Sequence, residues 1–215
     1  MKAAIFDMDG TLLDSMWVWE DLADEYLLSI GVEPPFDLRE HLKPLSLLDG
    51  CYYVKENLSV DKTPEEMNKD MEEILEKYYR ERFQLKPYVK ETLELLKNKG
   101  IRMCVATATD DRLVEMALGR IGIMDYFEFI QTSNSCGIGK KDPKFFQIAI
   151  DKLNLAPNDI FVFEDAVHCV ISAKNCGLNV VAIADESAKD DVEEIKKYAD
   201  LYINDFSELD LEKLK

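Results

Sequence analysis

The chain has 215 residues, 47% of them hydrophobic and 32% charged, enough to bury a core and build one large domain or two small ones. Wholesale disorder is excluded on that composition. With 26 basic residues against 43 acidic ones the net charge is −17, which repels a polyanion over most of the surface, so no nucleic-acid partner is expected.

Taken in chain order, KAAIF at Lys2 to Phe6 reads as a short buried strand that Asp7 and Asp9 interrupt. No apolar stretch reaches the length of a membrane span, so no membrane partner is expected and the chain reads as a soluble cytoplasmic protein. Residues 16 to 84 show helical periodicity without a convincing buried strand. The clearest helix there starts at Thr63, with Pro64 in its first turn and Glu66 at capping-box spacing, and should run to about Phe83. Met67, Met71, Ile74, Leu75 and Tyr78 form its apolar stripe. This segment carries eight basic and seventeen acidic residues, a charge of −9.

From residue 85 onward the pattern changes to strands alternating with helices. The strand-like runs are IRMCVAT from Ile101, IFVF from Ile160 and NVVAI from Asn179. Pro87 opens a helix that Gly100 is placed to end, Pro143 opens another, and Ala166 to Cys176 ends at Gly177. The alternation predicts an α/β fold, a Rossmann-like doubly wound parallel sheet covered on both faces. The expected core spans residues 1–15 and 85–215, with 16–84 as an inserted helical cap. The five cysteines, Cys51, Cys104, Cys136, Cys169 and Cys176, form an odd set without a CxxC pair and are expected as reduced, mostly buried thiols.

Asp7 and Asp9 in DMDGT are weak evidence taken alone, because an acidic chain produces such pairs by chance. Their position after the first strand is informative. In an open parallel sheet ligands bind beyond the carboxyl ends of the strands, and Gly10 lets the backbone turn there. Thr107 after IRMCVA, Glu164 and Asp165 after IFVF, and Lys140 in GIGKKDP occupy equivalent loops. A carboxylate nucleophile, a hydroxyl and an ammonium for phosphate oxygens, and further carboxylates for a divalent cation are what phosphoryl transfer needs.

The order and spacing of DMDGT at Asp7 to Thr11, VATAT at Val105 to Thr109, Gly139–Lys140, and FED at Phe163 to Asp165 resemble the haloacid dehalogenase superfamily, in its phosphatase and β-phosphoglucomutase-like branch. The resemblance covers nearly the whole chain, including a helical cap inserted after the first motif. It implies a magnesium-dependent phosphatase that hydrolyses a small phosphorylated metabolite through an aspartyl phosphate. Asp7 would be the nucleophile, and Asp9 the acid and then the base. Magnesium would be held by Asp7, the backbone carbonyl of Asp9, Asp165 and, through water, Glu164. Thr107, the amide of Ala108 and Lys140 would bind phosphate. The family pattern selects Lys140 over Lys141, which reads as a solvated neighbour.

Ala166 and Cys169 stand where the family often has Ser and Gly. A catalytic role for Cys169 is not expected, and His41 and His168 read as structural or exposed. Trp17 and Trp19 read equally as walls of a substrate pocket or as packing within the cap. The β-phosphoglucomutase-like relatives commonly carry a histidine at the position of Trp19 and an arginine after a glycine in a stretch like LKPLSLLDG; this chain has neither, which weakens the alternative of a sugar phosphomutase. A non-catalytic phospho-accepting protein is a further alternative. Such receivers are shorter and carry the accepting Asp after a later strand. A monomer or weak homo-oligomer is expected.

Overall fold

The computed structural model describes residues 1–42, 45 and 47–212. It divides into two compact units, one formed by residues 1–16 with the chain from 83 onward, the other by residues 17–82.

In the first unit β1 (Ala3–Phe6) is fully buried. A two-residue strand, β2 (Leu13–Asp14), pairs antiparallel with β3 (Gln84–Leu85), where the chain returns from the inserted segment. The remaining strands are β4 (Arg102–Thr107), β5 (Ile130–Thr132), β6 (Ile160–Glu164), β7 (Asn179–Ile183) and β8 (Leu201–Ile203). With β1 they form a parallel sheet of order β5-β4-β1-β6-β7-β8. The chain progresses outward from β1 through β4 to β5, then crosses back to β6. The switch point therefore lies between β1 and β6, where a doubly wound sheet opens its ligand crevice.

Side-chain alternation sends Ala3 and Ile5 of β1 into a core shared with Phe145, Phe146, Ala149 and Leu153 of α8 (Lys144–Leu153) and with Val170 and Ala173 of α9 (Val167–Asn175). On the alternate positions Phe6 stacks on Phe163 with centroids 4.5 Å apart, and Phe206 joins the stack. Helix α5 (Val89–Asn98) buries Val89, Leu93 and Leu96, and Gly100 follows it in the left-handed conformation. Gly177 takes the same conformation after α9.

The sheet holds two strands beyond those the sequence marks. β5 and β8 are three residues long, partly exposed, and β5 carries Gln131, so neither forms the apolar run that reveals β4, β6 and β7. Helix α6 (Asp111–Ile121) precedes β5 and the short α7 (Ser133–Cys136) follows it, so the crossover expected to lead straight to β6 is two crossovers.

The second unit is helical, built from α1 (Trp17–Ser29), α2 (Leu38–Leu42), α3 (Leu47–Asn57) and α4 (Pro64–Glu81). Thr63 caps α4: its hydroxyl accepts from the Glu66 amide, and the Glu66 carboxylate accepts from the Thr63 amide at 2.8 Å. Met67, Met71, Leu75 and Tyr78 are buried and Ile74 is half-buried, as the stripe predicts. They pack α4 against α1 and α3, burying Leu22, Leu27, Cys51 and Val54.

Candidate active site

Asp7 follows β1 directly, and its amide donates to the Phe163 carbonyl at 3.0 Å, so strand pairing brings it level with Glu164 at the end of β6. Gly10 turns the backbone at φ +82°, and a Cβ there would run into the Asp165 carboxylate, with its Cγ 2.7 Å away. Only glycine satisfies both demands.

Lys140, in the loop before α8, lies buried between two carboxylates. Its Nζ donates to Asp7 Oδ1 at 2.6 Å and to Glu164 Oε1. Burial disfavours the ammonium, but Asp7 and Glu164 overrule it and hold the Lys140 pKa well above its usual value. Burial also opposes ionisation of Glu164. The Lys140 charge and hydrogen bond, with the Ala166 amide, prevail and keep that carboxyl below its usual range. Burial pushes Asp7 up to about 7, against the pull of Lys140. Asp165, buried beside Glu164, Asp7 and Asp185, is raised well above the carboxylate range.

Asp7, Glu164 and Asp165 each present a carboxylate oxygen, all within 4.8 Å of one another. Both Glu164 oxygens are engaged, Oε1 by Lys140 and Oε2 by the amides of Asp165 and Ala166 at 2.7 and 2.9 Å. Asp165 Oδ1 accepts from the Thr11 hydroxyl at 3.0 Å. Three buried carboxylates facing one ammonium form a hard-oxygen donor set with excess negative charge, and such a set fits a small divalent cation.

Asp9 lies beside this cluster, half-buried. Its Oδ1 accepts from the Ser15 hydroxyl at 2.6 Å and its Oδ2 from the Thr109 hydroxyl at 2.5 Å. Thr107, buried at the end of β4, accepts from the Thr109 amide at 3.2 Å. Ala108, between them, is exposed. Thus Asp7, Lys140, Glu164 and Asp165 meet directly, and Asp9 and Thr107 are linked through Thr109.

Trp17 and Trp19 both lie on α1 and are both 43% exposed, so neither ring is buried packing. Trp17 meets Tyr78 edge-on at 5.5 Å. In the stretch Leu42 to Gly50, compared above with a mutase pattern, residues 43, 44 and 46 lie outside the described residues. His41 and His168 are exposed. The Cys169 thiol is buried near Glu164; burial and that carboxylate drive its pKa far up, so it stays protonated and is a poor nucleophile.

Sequence reasoning missed several supporting residues. Thr11 and Thr109 stand inside quoted motifs, and their spacing from Asp9 and Thr107 was the available signal. Lys86 and Asp185 gave none. They form a buried ion pair at the carboxyl end of β7, with Lys86 also donating to the Ala184 carbonyl at 2.7 Å.

Residues 4–183 match the family model of haloacid dehalogenase-like hydrolases. A phosphorylated carbohydrates phosphatase of Thermotoga maritima is 29% identical over 178 residues, 83% of this chain and 82% of that protein. A β-phosphoglucomutase of Bacillus subtilis is 27% identical over 198 residues, 85% of this chain and 83% of that protein. In fold, the chain is similar to CbbY from Rhodobacter sphaeroides, solved with xylulose-1,5-bisphosphate: the TM-score is 0.80 at 21% identity, over 100% of this chain and 99% of that one. The chain belongs to the haloacid dehalogenase-like hydrolases, in the branch that holds phosphatases and β-phosphoglucomutase-like proteins.

Proposed function

We propose that this enzyme is a magnesium-dependent phosphatase that hydrolyses a small phosphorylated metabolite, a sugar or polyol phosphate in the first instance. The observation that carries the reading is the buried Asp7–Lys140–Glu164 contact at the switch point of the sheet, with Asp9 held alongside. The family and the names of the relatives, among them a hexitol phosphatase of Escherichia coli 23% identical over 212 residues, support the substrate class.

In this reading a carboxylate oxygen of Asp7 attacks phosphorus. The bond from phosphorus to the ester oxygen breaks, and Asp9 gives that oxygen its proton. Water then attacks the aspartyl phosphate, Asp9 takes the proton from the water, and the bond from phosphorus to Asp7 breaks. Thr107 donates its hydroxyl and Ala108 its amide to phosphate oxygens. Lys140 offsets charge on phosphate and on the carboxylates, which would otherwise repel the substrate. Magnesium would be held by Asp7, Asp165 and the Asp9 carbonyl, with Glu164 acting through water, and would supply electrostatic stabilisation of the transferring group. The engagement of both Glu164 oxygens supports that indirect role.

The inserted helical unit is proposed to select the leaving group, with Trp17 and Trp19 setting preference. Its charge of −9 disfavours polyphosphates. The second reading, a phosphomutase, has the bound product recapture the phosphoryl group before water arrives. A panel of sugar, polyol and carboxylic-acid phosphates in magnesium buffer, read as released phosphate and as isomerised ester, separates the two. Release of phosphate supports the phosphatase, and isomerisation without release overturns it.

A further inference from the structure

We infer that Thr109 is a positioning residue for the Asp9 carboxyl, tying the group that transfers protons to the group that holds phosphate. The inference rests on the proposed acid–base role of Asp9. Thr109 sits two residues past Thr107, in the turn that follows β4, and makes three contacts. Its hydroxyl donates to Asp9 Oδ2 at 2.5 Å, it accepts the Thr107 hydroxyl proton at 3.3 Å, and its amide donates to Thr107 Oγ1 at 3.2 Å. Ser15 approaches the other oxygen of Asp9 at 2.6 Å. Two hydroxyl donors on opposite oxygens fix the plane of the carboxylate, and rotating it breaks both bonds.

The contact with Thr107 makes this more than a local brace. A hydroxyl has one proton. A phosphate oxygen arriving at Thr107 accepts the hydrogen bond that Thr107 otherwise donates to Thr109, whose own hydroxyl goes on donating to Asp9. The hydrogen bond from the Thr109 amide to Thr107 Oγ1 survives the exchange and keeps Thr107 and Asp9 in fixed relation while phosphate is bound. Val in place of Thr109 keeps the shape and the amide but removes the donor to Asp9.

The test compares Thr109→Val, Thr109→Ser and Asp9→Asn with the wild type on two probes, 4-nitrophenyl phosphate and phenyl phosphate. Rapid quench measures the rate of phosphoenzyme formation. Nitrophenolate leaves without a proton, whereas phenolate needs one more urgently. Misplacement of a reacting group by about 1 Å costs on the order of 100-fold, so Thr109→Val should lower the rate on phenyl phosphate by roughly 10- to 100-fold. The loss on 4-nitrophenyl phosphate should be smaller, KM should stay near wild type, and Thr109→Ser should restore the rate. Equal losses on both esters, or a Ser variant as slow as the Val one, overturn the inference. Wild-type turnover by Asp9→Asn defeats the acid–base reading instead. Should Thr109→Val fail to fold, the inference is decided between Thr109→Ala and Thr109→Ser on the same two esters.

Discussion

Lys86 Nζ lies 2.7 Å from Asp185 Oδ2, with both side chains buried at the carboxyl end of the sheet. Lys86 follows β3, and its amide also bonds the Leu12 carbonyl, so the pair ties the returning chain to the strand end next to Glu164 and Asp165. Lys86→Met would leave the Asp185 carboxylate buried without its cation, an arrangement that costs about 3–5 kcal/mol. Chemical denaturation should show that loss, and Lys86→Met with Asp185→Leu should recover most of it. A single variant within 1 kcal/mol of wild type, by the ~0–1 kcal/mol scale of exposed pairs, would mean that the pair is solvated in solution.

Asp7→Asn should abolish both turnover and acid-stable phosphoenzyme. Asp9→Asn should retain magnesium and phosphate affinity and lose activity by about 100- to 10,000-fold, the usual worth of general acid and base assistance. Substantial turnover by Asp7→Asn would remove it as the nucleophile.

Magnesium should bind more tightly as pH rises through about 7, because the cation must displace the proton that burial keeps on Asp7. The sign for stability is opposite. Asp7's folded pKa lies above its ordinary value of 3.8, so its contribution to metal-free stability is fully present below that value and is lost as pH rises through about 7. Magnesium should therefore raise Tm more at pH 8 than at pH 6. Asp165→Ala should weaken the effect more than Glu164→Ala, EDTA should abolish turnover, and calcium should fail to restore it. Equal thermal shifts at both pH values, or full activity in EDTA, would contradict the assignment.

Trp19→Ala and Trp17→Ala should reorder substrate preference or raise KM while leaving phosphoenzyme formation intact. Trp17 should also cost some stability, because it packs on Tyr78. An unchanged substrate ranking in both variants would confine the two rings to structure.

How much of this was legible in the sequence follows from physical scale. β1, β4, β6 and β7 announce themselves because a strand buried on both faces needs an unbroken apolar run. The cap of α4 is legible because Thr63, Pro64 and Glu66 act within one turn. β5 and β8 stayed hidden because their pairing depends on neighbours, not on their own residues. At the site, charged residues at strand ends could be collected from order and spacing. The long-range contacts could not: that Thr109 reaches Asp9, or that Lys86 meets Asp185 across 99 positions of chain, is a property of strand order and register.

The parallel strand order also sets when this enzyme becomes one. Asp7 and Lys140 are separated by 133 residues, and Thr11 and Asp165 by 154, so the contacts that join the β1 loop to the rest of the site close long loops. Such contacts are entropically late. Asp7, the proposed nucleophile, has no chemistry to perform until β6 docks beside β1. Phosphate release regained on refolding should therefore time the arrival of that one strand.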